Sequence, residues 1–147
     1  MYRKNLANLA ALLMLAGGTA VANEAHVALF KNVTGEVTVL RPAGNVAATP
    51  GMTLQVADRL VSGPGASAGI MFKDGTAVTL GPASELELRD YAFEPKDARY
   101  DFDVYLARGK AIYTSGKIGK LAPEAVKVGT PTATVGVRGT RFIVEAQ

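Results

Sequence analysis

From Ala68 to Leu88 inward-type and outward-type residues alternate with a period of two. Ala68, Ile70 and Phe72 share one parity, with Gly69, Met71 and Lys73 between them. Val78 and Leu80 follow, then Leu86 and Leu88, with Glu85, Glu87 and Arg89 opposite. This period places one set of side chains inward and the other outward on a strand. Turn signals punctuate the runs: Gly63-Pro64-Gly65, Asp74-Gly75, Gly81-Pro82, Arg108-Gly109-Lys110 and Thr130-Pro131. Many short strands with regular punctuation predict an all-β domain.

Parity also fixes one turn. A two-residue Asp74-Gly75 loop would put Phe72 and Val78 on opposite faces. A three-residue loop, Lys73-Asp74-Gly75, pairs Phe72 with Thr76 and Ile70 with Val78, which keeps the apolar set together. Gly75 then takes the positive φ that such a loop requires of its last residue, and a bulged hairpin is predicted. Gly63-Pro64 and Gly81-Pro82 repeat at a spacing that suits one coil of a β-solenoid. The expected fold is therefore a single all-β domain of short strands, built from β-solenoid-like stacked coils and hairpins. A β-sandwich or small barrel is the alternative. Residues 90–103 are charged and carry Pro95, and are expected to cross the surface as a loop. Residues 115–124, rich in glycine and lysine, are expected to form a mobile connection.

The first 22 residues follow other rules. Arg3 and Lys4 precede the apolar run Leu9 to Leu15, and Ala20-Val21-Ala22 supplies a signal-peptidase pattern. Residues 1–22 are read as a cleaved signal peptide and 23–147 as the domain, which implies export to the periplasm. The apolar run is shorter than the roughly 20 residues that span a bilayer. Of the 16 lysines and arginines, Arg3 and Lys4 belong to this leader, which leaves 14 against 13 acidic side chains. So balanced a charge offers little of the one-signed field that nucleic acids require, and no nucleic-acid partner is expected. There is no cysteine, so the fold must hold by burial and backbone pairing alone.

The inventory for chemistry is thin. His26 is the single histidine and lies near the start of the domain, a poor place for a catalytic base or a zinc ligand. Glu85 with Glu87, and Asp101 with Asp103, are carboxylate pairs of the kind that binds calcium or cleaves glycosidic bonds. Solvated strand faces carry the same pairs. Lys110, Lys117, Lys120 and Lys127 are read as solubilising charge. No enzyme activity and no cofactor are expected.

Three stretches in order carry a resemblance: "DRLVSGPGASAGIMFKDGTAVTLGPASELEL" from Asp58, "YLARGKAIY" from Tyr105, and "VKVGTPTATVGVRGTRFIV" from Val126. Together they resemble the FecR domain, named for a periplasmic regulator of iron-citrate uptake, over residues 58–144. The shared positions are Asp58, Asp74 and Gly75, Gly81 and Pro82, Gly109, Pro131, then Gly136, Arg138, Gly139, Thr140 and Phe142. Ala57 stands where the family commonly has glycine, so the first turn is expected to differ in shape. The family's regulators also carry a cytoplasmic sigma-factor-binding segment and a transmembrane helix before this domain, and a further domain after it. This sequence shows none of them, so the resemblance does not carry anti-sigma activity here.

The motif around Arg138 is read as structural. Ala133, Val135 and Val137 are odd-numbered while Phe142 and Val144 are even, a slip that an inserted residue in a strand produces. Gly139 would supply a positive φ and Gly136 a close backbone approach. Arg138 would turn inward onto carbonyls or a carboxylate such as Asp58 or Asp74; gripping a ligand's carboxylate is the alternative. The resemblance implies a binding module that contacts an envelope sensor, receptor or transport protein in signal relay, and that meets the membrane only through that partner. An envelope scaffold or glycan-binding module without signalling is the alternative.

Overall fold

A computed structural model describes residues 26–136 and 139–147. The leader reading and Arg138 lie outside the described residues. Four long runs of chain dominate, and each is bent near its middle. The first joins β1 (Ala28–Thr34) to β2 (Val37–Arg41), the second β5 (Arg59–Ser62) to β6 (Ser67–Phe72), the third β7 (Ala77–Leu80) to β8 (Glu85–Glu94). The fourth is the single strand β9 (Arg99–Thr114). Between the first two runs, β3 (Gly44–Ala47) folds back along β2 and β4 (Thr53–Leu54) lies along β1. After β9 come the short helix α1 (Lys117–Leu121) and strands β10 (Val126–Gly129), β11 (Thr134–Gly136) and β12 (Arg141–Ala146).

Neighbouring runs are antiparallel, and the twelve strands make one sheet curled strongly into a half-barrel. One half of the curl holds β3-β2-β5-β8-β9 and the other β9-β7-β6-β1-β4, so β9 belongs to both. Beyond β9, β10 and β12 pair with its first and second halves, and among the described residues only the β9–β10 ladder is parallel. Alternation explains the curl's inner face. Leu60, Ala68, Ile70, Phe72, Val78, Leu80, Leu86 and Leu88, all even-numbered, are buried in one continuous core with Phe30, Val39, Phe102 and Leu106.

The bends line up in a row, which we term the seam. Each contains a residue with positive φ: Gly35 (72°), Gly65 (73°), Ala83 (48°) and Gly109 (89°). That conformation turns the chain out of one half of the curl into the other. Backbone bonds tie each bend to the next: Gly63 N–H to Glu36 O at 2.9 Å, Ser62 N–H to Ser84 O at 2.9 Å, and Gly81 N–H to Lys110 O at 2.9 Å. Two buried serines thread the row. The Ser62 hydroxyl donates to Gly81 O at 2.6 Å and accepts from Ser84 N–H at 2.9 Å. The Ser84 hydroxyl donates to Pro82 O at 2.9 Å and accepts from Lys110 N–H at 2.9 Å.

The all-β expectation and the hairpin hold. Ile70 faces Val78, Phe72 N–H donates to Thr76 O at 2.9 Å, and Gly75 has φ 86°. The repeated Gly-Pro turns are indeed adjacent, with Ala83 N–H bonded to Gly63 O at 3.0 Å. They do not mark solenoid coils, however. The Lys73-Asp74-Gly75 turn reverses the chain between them, so their strands run in opposite directions, and the half-barrel stands closer to the small-barrel alternative.

Three local expectations are corrected. Residues 90–103 are not a surface loop: β8 and β9 remain paired out to Glu94 and Arg99, with a 3-10 turn at Pro95–Asp97 closing the hairpin. Charge there decorates a paired ribbon, and the proline sits at the turn, where its missing N–H costs nothing. Residues 115–124 include α1, whose Ile118 is fully buried in the core. The parity slip near Arg138 is not a bulge within one strand, because β11 pairs with β10 whereas β12 pairs with β9. A change of strand shifts parity as freely as an insertion does.

The first turn holds a strained residue. Ala57 has φ 76°, where a Cβ costs about 1–2 kcal/mol, while its N–H donates to Leu88 O at 2.7 Å. Ala57→Gly is expected to raise stability by about 0.5–1 kcal/mol in urea unfolding, part of the relieved strain being offset by a more flexible unfolded chain. A loss of stability would show that the alanine is held there without strain.

Candidate functional site

The positions singled out in the sequence do not gather at one place. Gly81, Pro82 and Gly109 sit on the seam. An added Cβ at Gly109 would stand 2.6 Å from Ser84 Cα, so this bend admits only glycine even apart from its φ. Asp58, Asp74 with Gly75, and the closing residues from Pro131 to Phe142 occupy three other locations.

Asp58 is buried beneath the β2–β3 ribbon. Arg41 donates to it through Nε at 2.9 Å and Nη2 at 2.8 Å, and Gln55 N–H donates at 2.8 Å. Arg41 Nη2 also donates to Thr53 O at 2.9 Å. This planar, two-point grip fixes the ribbon against the first turn.

Asp74 sits at the far end of the hairpin it helps to turn, and its carboxylate is buried. It accepts from Thr76 Oγ1 at 2.6 Å, Thr76 N–H at 3.3 Å, Tyr91 Oη at 3.0 Å and Ile118 N–H at 3.0 Å. Its carbonyl accepts from Lys117 N–H at 2.9 Å. The hairpin thus clasps the first turn of α1, whose own leading N–H groups have no partner within the helix. Gly116 permits the approach: an added Cβ would lie 2.2 Å from Thr76 N. Burial of Ile118 adds about 2–3 kcal/mol to the clasp.

Aromatic rings surround it. Tyr91 stacks on Phe72 at 5.3 Å, Phe102 lies edge-on to Phe72 at 4.9 Å, and Tyr113 stacks on Phe142 at 4.9 Å. Tyr113 Oη is buried and makes no hydrogen bond among the described residues.

Among the described residues the two acids are bonded by Arg41, Gln55, Thr76, Tyr91 and Ile118, partners that the sequence reading did not assign to them. Ser62 and Ser84 share the inward parity of their neighbours, a signal that was available. Tyr91 carried none. The register shift between Leu88 and Asp90 turns it inward, and only the paired strands reveal that shift.

Among the closing residues, Gly139 has φ 122°, as expected, and Thr140 O accepts from Ser115 N–H at 2.7 Å. Gly136 departs from expectation, since nothing described lies within 4 Å of an added Cβ. Pro131 forms its turn, with Thr130 N–H bonded to Ala133 O at 2.7 Å. The carboxylate pair Glu85 and Glu87 faces arginines on the outer surface. Arg59 and Arg108 stand 3.4 and 3.9 Å from Glu85, and Arg89 stands 3.8 Å from Glu87.

What the described surface offers to a partner is strand edge. Among the described residues β3 pairs only with β2, β11 only with β10, and β12 only with β9. Every residue of β3 and of β11 is exposed. Ala48 N–H donates to Val37 O at 2.8 Å, so even-numbered residues of β3 face β2, and the N–H groups of Asn45 and Ala47 point outward. Such a row of unpaired groups is a template for an added strand.

The clasp gives the fold an alkaline limit. Burial, and then the Asp74 charge, raise the Tyr91 phenol well above its usual range, and burial raises Tyr113. The folded state therefore holds these protons more tightly than the unfolded chain. Their contribution is complete below the unfolded phenol value near 10 and is lost as pH rises beyond it. Tyr91→Phe is expected to lose about 1–2 kcal/mol at pH 7 and to flatten the decline above pH 10, read by urea unfolding across that range. An unchanged alkaline slope would remove Tyr91 from this role.

No curated protein and no solved structure matches the chain at a significant level. A family model described as FecR protein matches residues 58–147, from the buried acid of the first turn through the closing strand. FecR domains are typically involved in signal relay to sigma factors. With more than half of its length matched, this chain belongs to the FecR family.

Proposed function

We propose that this protein is an exported, periplasmic, non-enzymatic binding module that contacts an envelope sensor, receptor or transport protein and so takes part in signal relay. The observation that carries this reading is the FecR match from Asp58 through the closing strand. The leader pattern, with Arg3, Lys4 and Ala20-Val21-Ala22, supports export. The fold supplies a means of contact. A strand laid along β3 would satisfy the outward groups of Asn45 and Ala47 and gain affinity from backbone pairing, with Val46, 43% exposed, as an apolar foothold.

In-cell crosslinking of the chain in the envelope, with captured species identified by mass spectrometry, tests this. One membrane sensor or transporter should be captured reproducibly. Ala47→Pro removes an outward N–H without taking a bond from the β2–β3 ladder, and should abolish that capture. Diffuse capture of glycan and outer-membrane components would sink the signalling reading in favour of a scaffold.

A further inference from the structure

The edge of β12 differs from the other free edges in what its outward residues are. Thr140 O takes its hydrogen bond from Ser115 N–H, and the register then steps evenly from Arg141 opposite Thr114 to Ala146 opposite Gly109. In an antiparallel ladder the bonding direction alternates residue by residue. The backbone groups of Phe142, Val144 and Ala146 therefore face β9, and those of Arg141, Ile143 and Glu145 face away from it. The side chains of the same three residues are exposed, and Ile143, at 69%, is the most exposed large apolar side chain among the described residues.

We propose that this edge pairs with the same edge of a second copy of the chain, antiparallel, about a two-fold axis at Ile143. Only residues with outward backbone groups can bond across the axis, so odd-numbered residues must meet odd-numbered ones. With Ile143 opposite Ile143 of the partner subunit, all three outward residues on each strand are paired, giving about six backbone hydrogen bonds. Arg141 then faces Glu145 of the partner subunit, and Glu145 faces Arg141 of the partner subunit. A shift by two residues in either direction sets a charge against isoleucine and leaves an outward residue unpaired. The sequence Arg-Phe-Ile-Val-Glu is thus self-complementary on its exposed face, with opposite charges flanking an apolar centre.

Glu145 is free to take part, because its contact with Lys110 within the chain is a loose one at 3.6 Å between two largely exposed side chains. The other edges lack this symmetry. The outward residues of β3 are Asn45 and Ala47, and Thr130 N–H bonded to Ala133 O sets Thr134 and Gly136 outward on β11. Neither pair carries charge. A contact made by one strand per copy is small, and it should associate in the micromolar range. The inference rests on the geometry of β12 and stands independently of the signalling reading.

Sedimentation equilibrium of the chain beginning at Asn23, from about 1 μM to about 1 mM, tests it. The wild type should show a monomer–dimer equilibrium. Arg141→Glu and Glu145→Arg each place like charges in both cross-strand pairs, and each should weaken association by about tenfold or more. Mixed one to one, the two variants restore every pair and should form a heterodimer. Ile143→Pro removes an outward N–H while sparing the bonds to β9, and should give a folded monomer by circular dichroism. A wild type that stays monomeric throughout, or a dimer that survives both single charge changes undiminished, overturns the proposal.

Discussion

The hydroxyls of Ser62 and Ser84 lie where four runs of chain bend, and the curl of the sheet depends on those bends staying in line. A strand that turns sharply leaves backbone groups without ladder partners, and buried groups left so cost about 1–3 kcal/mol each. Here the bonds interrupted by each bend are remade to the next, through Glu36, Ser62, Gly81, Ser84 and Lys110. The serines act as both donor and acceptor, bridging gaps that backbone alone does not close. With no cysteine in the chain, this seam and the core inside it hold the half-barrel.

At the far end of the curl from the seam, Asp74 performs a related task. One carboxylate completes its own hairpin, engages Tyr91 from the other half of the sheet and holds the start of α1. Charge-assisted bonds to several elements at once make such a group costly to remove and fix the relative position of everything it touches. The Arg41–Asp58 pair does the same for the β2–β3 ribbon. Both acids belong to the architecture, and among the described residues this architecture leaves strand edges open.

Much of this was legible wherever two local rules agreed. The Lys73-Asp74-Gly75 turn followed from side-chain parity and from glycine's tolerance of positive φ, and both operate within a few residues. The same parity extends to Ser62 and Ser84, but the reading followed only the apolar positions and passed them over. It failed where distant partners decide. Ile118 shares a five-residue helix with one other apolar residue, the exposed Leu121, so periodicity could not single it out, and it is held by an acid 44 positions earlier. Residues 90–103 were misread because charge and proline are as common on the outside of a long hairpin as in a loop. Near Arg138 the slip in parity was real, but a bulge and a change of pairing partner leave the same trace in a sequence.

A FecR-family domain so built is a frame that carries paired strands to open edges. The measurement that bears most directly on it is native-state hydrogen exchange of the backbone amides of Gly63, Gly81, Ser84 and Lys110. All four lie in or beside turns, where amides ordinarily exchange through local opening. If the seam holds the curl, they should exchange as slowly as the amides of Ile70 and Leu86 in the core, and only through global unfolding. Exchange as fast as that of the hairpin tip around Lys96 would contradict the account, because the bends would then open without the sheet.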